Sequence, residues 1–188
     1  SLSLADGRRI DCDMVVHGAG RVADIADLML EKADIAYSDN GITVDSHMAT
    51  SNPHVFAVGD CADTIQLARV ADAEAHVAAT HIVSAAKGGN DERSMNYSTV
   101  PAVLFTYPQY GMVGATEAAL QKKGVGYTKS FAKELAWPTY RRVGMRSAAY
   151  KILVGENRQV LGAHVLSDNA TGLINSFALA MASGIGVD

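Results

Sequence analysis

The run Val55-Phe56-Ala57-Val58, followed at once by Gly59-Asp60, constrains this chain more than any other stretch. Four apolar residues without polar alternation are the pattern of a short strand buried on both faces. The run stops at a glycine and then a carboxylate, which leaves bare backbone and one acceptor side chain at a sheet's carboxyl edge. Open α/β sheets receive their ligands at that edge. An Asp there accepts hydrogen bonds from two hydroxyls of a sugar or polyol, or it caps the helix that follows. On these residues alone both readings stay open.

What surrounds the run is ordinary globular material. The 188 residues are 48% hydrophobic and 19% charged, enough for one large core or two small ones. A net charge of -4 and a pI near 5.8 give no electrostatic reason to expect nucleic acid or an anionic membrane. The longest apolar candidate for a membrane span, 177–187, is broken by Ser183, Gly184 and Gly186. The opening Ser1-Leu2-Ser3-Leu4 has neither a Met nor a signal-like segment and reads as the start of a piece of something longer. Cys12 and Cys61 fit neither a redox pair nor a zinc-site spacing. They read as incidental thiols of a reducing compartment, so a cytoplasmic location is expected.

In chain order, Ser1 to Ile10 reads as a hairpin with a type I′ turn at Asp6-Gly7, and Asp13 to Val16 as a further strand. Next comes His17-Gly18-Ala19-Gly20-Arg21-Val22-Ala23. Gly18, Gly20 and Ala23 match the G-x-G-x-x-A form of a dinucleotide fingerprint, with helical spacing in Ile25, Leu28 and Met29, and with Asp45 at the end of a strand over Gly41 to Val44. From Gln66 to Ala86 apolar residues recur at helical spacing, and Gly88-Gly89-Asn90 stops the element. Asp72 and Glu74 read as solvated or packed polar residues. His76 and His81 do not share a helix face and are poor metal ligands.

The polar segment Asn90 to Ser98 reads as a linker. Beyond it, strands are predicted at Val100–Phe105, Tyr110–Val113, Tyr127–Lys133, Ala149–Val154 and Val160–Leu166, with a turn at Gly155 to Asn157. Helices are predicted at Thr116–Lys123, capped by Thr116 and closed at Gly124, and at Asn169–Ser183. Successive strands with helices on one side indicate an α+β domain. The cluster Trp137, Tyr140, Arg141, Arg142 reads as a charged aromatic loop at a subunit edge.

Thr50, followed after 51–55 by Phe56-Ala57-Val58-Gly59-Asp60, resembles the second FAD-binding motif of the pyridine nucleotide-disulfide oxidoreductases. This is the family of glutathione reductase, dihydrolipoyl dehydrogenase and mercuric reductase. Asp13 to Asp24 is similar to the segment where that family's NAD domain ends. The stretch Val100 to Pro108 with Val113-Gly114 and Thr116-Glu117, then Lys151-Ile152 and Leu161-Gly162-Ala163-His164, looks like its carboxyl-terminal dimerisation domain.

The resemblance implies an α/β plus α+β architecture: a partial FAD-domain strand-helix segment followed by an α+β dimerisation domain with a mainly antiparallel sheet. Its boundaries would be 1–20 for the tail of the NAD-binding domain, 21–95 for the central FAD-binding segment and 96–188 for a shortened dimerisation domain. It implies FAD contacts at Gly59, Asp60, Gln66, Leu67 and Ala68, NAD(P)H as reductant of the full-length parent, and a homodimer. No catalytic residue and no metal site is expected. The first Gly-rich FAD motif, the cysteine pair and the family's His-Pro-Thr-x-x-Glu stretch are not found, and Tyr107 stands where many members carry His. The chain therefore reads as a carboxyl-terminal fragment, inactive alone and a poor flavin binder. Two other readings stay open: a non-catalytic dimerisation module, and a small dinucleotide-binding domain on Gly18, Gly20 and Ala23.

Overall fold

The computed structural model describes residues 1–89, 92–135, 138–145 and 147–187; Asn90 and Trp137, named above, lie outside them. Residues 1–93 and 94–188 are two compact units.

The first unit is short on regular structure. Strands β1 (Leu2–Ser3) and β2 (Arg9–Ile10) pair antiparallel. Their turn is not type I′. Gly7 N–H donates to Leu4 O at 3.0 Å and only Gly7, at φ 85°, is left-handed, the form of a three-residue loop with Gly at its last position. The strand expected over Asp13 to Val16 is absent. Those residues lie outside regular structure, with Met14 78% and Val16 85% exposed, and no strand among the described residues pairs with them. The helical spacing of Ile25, Leu28 and Met29 yields two 3-10 turns, Ala26–Leu28 and Leu30–Ala33. They are separated by Met29 and ended by Asp34, both left-handed, so no α-helix propagates.

Strands β3 (Tyr37–Ser38) and β4 (Gly41–Ile42) form a second small hairpin. After it, Asp45 Oδ1 accepts from the N–H of His47 at 2.8 Å and of Ala49 at 3.0 Å, turning the chain so that Ala57 N–H donates to Met48 O at 3.2 Å. The run 55–58 is thus one arm of a tight excursion, touching its other arm through a single bridge between Ala49 and Phe56, and not a sheet strand. Thr50 closes the excursion, its Oγ1 lying 3.0 Å from both Asn52 O and Val55 O. A small core of Ile25, Leu30, Ile35, Ile42, Ala57 and Ala62 gathers these turns. Helix α1 (Ala68–Ala86) completes the unit and buries Val70, Glu74, Val77 and Ala78 on one face. It ends with Gly89 N–H on Ser84 O at 2.9 Å and Gly88 left-handed, a glycine stop as expected.

The second unit is a five-stranded antiparallel sheet in the order β5-β6-β9-β8-β7, built from β5 (Ala102–Leu104), β6 (Gln109–Gly114), β7 (Tyr127–Lys133), β8 (Ala149–Gly155) and β9 (Val160–Ser167). Alternation sorts its side chains by face. Val113, Ala163 and Val165 point at helix α4 (Ala170–Ala182), whose Ile174 and Ala178 complete the core with Phe177 and Met181 beside them. On the opposite face lie Phe131, Lys151 and His164, paired in register across β7, β8 and β9. Helix α2 (Glu117–Lys122) is capped by Thr116 Oγ1, which accepts from Ala119 N–H at 3.1 Å, and is closed at left-handed Gly124. The stretch at Tyr140, Arg141 and Arg142, expected as loop, is a short helix α3 (Pro138–Arg142) opened by proline at its first position.

Candidate functional site

Two separate elements, β4 and α1, hold the turn at Gly59-Asp60. Val58 is extended, Gly59 is left-handed at φ 71°, and Gly59–Cys61 makes one 3-10 turn closed by Ala62 N–H on Gly59 O at 2.9 Å. From above, β4 presses onto the turn. Ile42 bridges Ala62, Asp63 N–H donates to Ile42 O at 2.9 Å, and Gly41 (φ 144°) lies so close that a Cβ there would sit 2.8 Å from Cys61 O and Ala62 C. From α1, Glu74 reaches back, fully buried, and its Oε2 accepts the Gly59 N–H at 2.7 Å. Such a short bond from an amide to a carboxylate is a strong one, and it helps satisfy the carboxylate in a dry site.

Outside this frame Asp60 is exposed, with Oδ2 at 3.1 Å from Arg21 Nη1. Arg21 Nη2 also donates to Gln66 O at 3.4 Å, and Gln66 Nε2 to Asp60 O at 3.4 Å. Arg21, Val22, Asn40, Asp63, Thr64 and Gln66 line a cleft of about 450 Å³ together with Asp39. The hydroxyl of Thr64 is buried with no hydrogen-bond partner among the described residues. Leu67 is the N-cap of α1 and supplies no side-chain cap; Val70 and Ala71 N–H donate to Leu67 O, and the Ala68 and Arg69 N–H groups stand at the positive end of the macrodipole. Polar hydroxyls and an electron-rich ring edge are what an acceptor carboxylate and an uncapped helix start together would receive.

Gly59, Asp60 and Gln66 therefore come together, and Leu67 and Ala68 stand at the head of α1. Glu74, read in the sequence as solvated or merely packed, is instead the buried acceptor of the turn. The signal was present: it shares the stripe of Val70, Val77 and Ala78, where an acid needs a partner. Arg21 and Gly41 carried no signal of their own. The dinucleotide reading of Gly18, Gly20 and Ala23 is corrected. Among the described residues no strand leads directly into them, the segment after them forms 3-10 turns, and a Cβ on Gly18 or Gly20 would touch nothing within 4 Å. Cys12 Sγ and Cys61 Sγ contact backbone carbonyls of Ile10 and Val58 and are free thiols. His47 and His81 face each other with ring centroids 5.0 Å apart, and among the described residues no group of three metal-ligating side chains forms.

The second unit holds a different polar cluster, on the open face of its sheet. Glu117 takes Lys129 Nζ at 2.8 Å, Lys151 Nζ at 2.9 Å and the Tyr127 hydroxyl at 3.1 Å. Hydrogen bonds from Lys129 and then Lys151 hold its carboxyl at about 2, well below the usual range. Lys129 is raised by the same bond. His164 stands 3.0 Å from the Tyr110 hydroxyl and 3.3 Å from Ala115 O, and burial lowers its pKa, with the Lys151 charge adding to the effect. The cluster ties α2 to β7 and β8, and the imidazole is fixed by its neighbours at both nitrogens.

Two family models match the chain: pyridine nucleotide-disulphide oxidoreductase over residues 1–75, and the dimerisation domain of the same family over residues 100–188. An uncharacterised 19.7 kDa protein of a mercuric resistance operon in Staphylococcus aureus is 35% identical over 160 residues, covering 83% of this chain and 86% of that protein. Dihydrolipoyl dehydrogenase of Chlamydia muridarum is 31% identical over 184 residues, 94% of this chain but 37% of the enzyme. The solved structure of LpdA from Mycobacterium tuberculosis matches with a TM-score of 0.77 and 26% identity, over 96% of this chain and 39% of LpdA. The chain thus spans well under half the length of these enzymes. On two successive family matches that together cover most of its length and on this fold, the chain belongs to the pyridine nucleotide-disulphide oxidoreductase family.

Proposed function

We propose that residues 1–93 present the flavin-facing segment of an FAD-dependent, NAD(P)H-linked oxidoreductase, and that residues 94–188 supply its dimer interface. Asp60 is read as the acceptor for the ribityl hydroxyls. Gly59 lets the backbone approach, and Gln66, Leu67 and Ala68 offer main-chain groups to the ring's pyrimidine edge. The observation that carries this reading is the convergence of an exposed acceptor carboxylate, held on a rigid turn, with the uncapped start of a 19-residue helix. Bound flavin would supply two-electron transfer, and the helix's positive end would favour negative charge on the reduced ring. The chain's own part is to bind and orient, since Cys12 and Cys61 are not a pair. Assignment of 1–20 to the end of an NAD domain, of 21–95 to the FAD segment and of 96–188 to the dimerisation domain belongs to the same proposal, as does a cytoplasmic location.

The test is a titration of the chain with millimolar FAD, followed by amide shifts around Asp60 and Ala68. Asp60→Ala should weaken binding by about 1.5–3 kcal/mol, the worth of a charged hydrogen bond. Equal affinity in the substituted chain would refute the placement of the ribityl chain on Asp60.

A further inference from the structure

We infer that Glu74 is a positioning residue for the flavin contact, acting through Gly59 on Asp60; this rests on the reading of Asp60 just proposed. Glu74 lies in the second turn of α1, fully buried, and its Oε2 accepts the N–H of Gly59 at 2.7 Å. That amide belongs to a left-handed residue, φ 71°. A Cβ added at Gly59 would meet Ala71 Cβ at 3.2 Å, so α1 leaves little room for a side chain there.

The consequence is geometric. Asp60 follows Gly59 directly, and the peptide between them is oriented by the ψ of Gly59. Glycine is free to change that angle unless something holds it. The Glu74 carboxylate holds the preceding N–H, the Ala62 N–H holds the Gly59 carbonyl at 2.9 Å, and between them both sides of Gly59 are fixed. Removing the carboxylate orphans a buried amide, and the turn then gains by rotating that amide toward any other acceptor. Asp60 would turn with it. A neutral amide at position 74 keeps an acceptor oxygen of the same shape, so Glu74→Gln should preserve the geometry where Glu74→Leu does not.

The experiment uses the 188-residue chain and nuclear magnetic resonance. In Glu74→Leu, Gly59 amide exchange should accelerate by at least about tenfold and the Asp60 side-chain carboxyl signal should move. In Glu74→Gln, the Gly59 amide should move upfield, as a neutral acceptor demands, with Asp60 unmoved. Binding of FAD at millimolar concentration is then compared in wild type, Asp60→Ala, Glu74→Leu and the double variant. If Glu74 acts through Asp60, either single change weakens binding about tenfold or more and the double variant loses little further. Should Asp60→Ala leave binding intact, the flavin reading itself fails. If Asp60→Ala weakens binding while folded Glu74→Leu leaves binding and the Gly59 amide untouched, the positioning role alone is overturned. Should Glu74→Leu not fold, the upfield shift of the Gly59 amide in Glu74→Gln decides, and its absence overturns the inference.

Discussion

Replacing Gly41 by alanine tests whether the Gly59-Asp60 turn is held by close backbone approach. The added Cβ would stand 2.8 Å from Ala62 C, 2.8 Å from Cys61 O and 2.9 Å from Asp63 N. All three are main-chain atoms, so no flexible side chain can swing aside. In addition, Gly41 adopts φ 144°, where an L side chain is strained whatever the space. Overpacking costs about 1–3 kcal/mol and the backbone strain about 1–3 more, so Gly41→Ala should lose roughly 2–6 kcal/mol. That is a large part of the about 5–15 kcal/mol a domain possesses. The assay is urea unfolding read by amide exchange at Ile42 and Asp63, which reports the first unit without averaging over the second. Gly18→Ala is the control, since a Cβ there meets nothing within 4 Å. It should change stability by no more than about 0.5–1 kcal/mol, on the stabilising side if its backbone angles suit alanine. A Gly41→Ala variant within about 0.5 kcal/mol of wild type would refute the argument that β4 clamps the turn.

Two further outcomes are expected. Acidification should weaken the second unit in two windows. His164, whose folded pKa is lowered by burial, gives stability that falls as pH drops below 6.5. Glu117, lowered from 4.5 to about 2, gives stability fully present above 4.5 and lost as pH falls toward 2, and Glu117→Gln should flatten that lower window in a pH series of melting curves. The exposed side of α4, with Leu173 38% and Leu179 68% exposed, should associate with a second copy, so sedimentation should show dimers that Leu179→Glu disperses. A strictly monomeric profile at high concentration would count against the interface.

The second unit was largely legible because its central strands β6 and β9 pack on α4 and its turns carry their own chemistry. Thr116 and Gly124 bracket α2 as capping rules require, and β7 runs over Tyr127–Lys133 as its pattern predicts. The missed α3 is too short for periodicity to register. In the first unit the same rules failed where a pattern needs a neighbour it does not name. Val55 to Val58 and Asp13 to Val16 are strand-like in composition, but pairing decides strands. The first run is held by the excursion from Asp45, while the second finds no partner among the described residues. The site followed the same division. Asp60 announced itself by its place after a glycine. Glu74, Gly41 and Arg21 are joined to it only through tertiary contact, and only the acid on an apolar stripe left a trace in the sequence.

That distribution separates binding from folding. The Asp60 carboxylate is exposed and its pair with Arg21 is a surface ion pair, worth about 0–1 kcal/mol, so the unit loses little when Asp60 is changed. The residues that aim it are buried and make contacts nothing else can replace: an amide–carboxylate bond from Gly59 to Glu74, and main-chain contact at Gly41. Changes at Asp60 should therefore weaken ligand contact in a chain that melts as before. Changes at Glu74 or Gly41 should lower stability and ligand contact together. A chain in which Asp60→Ala proved as destabilising as Gly41→Ala would mean that the carboxylate serves the fold, and the turn would then be a structural corner and not a ligand site.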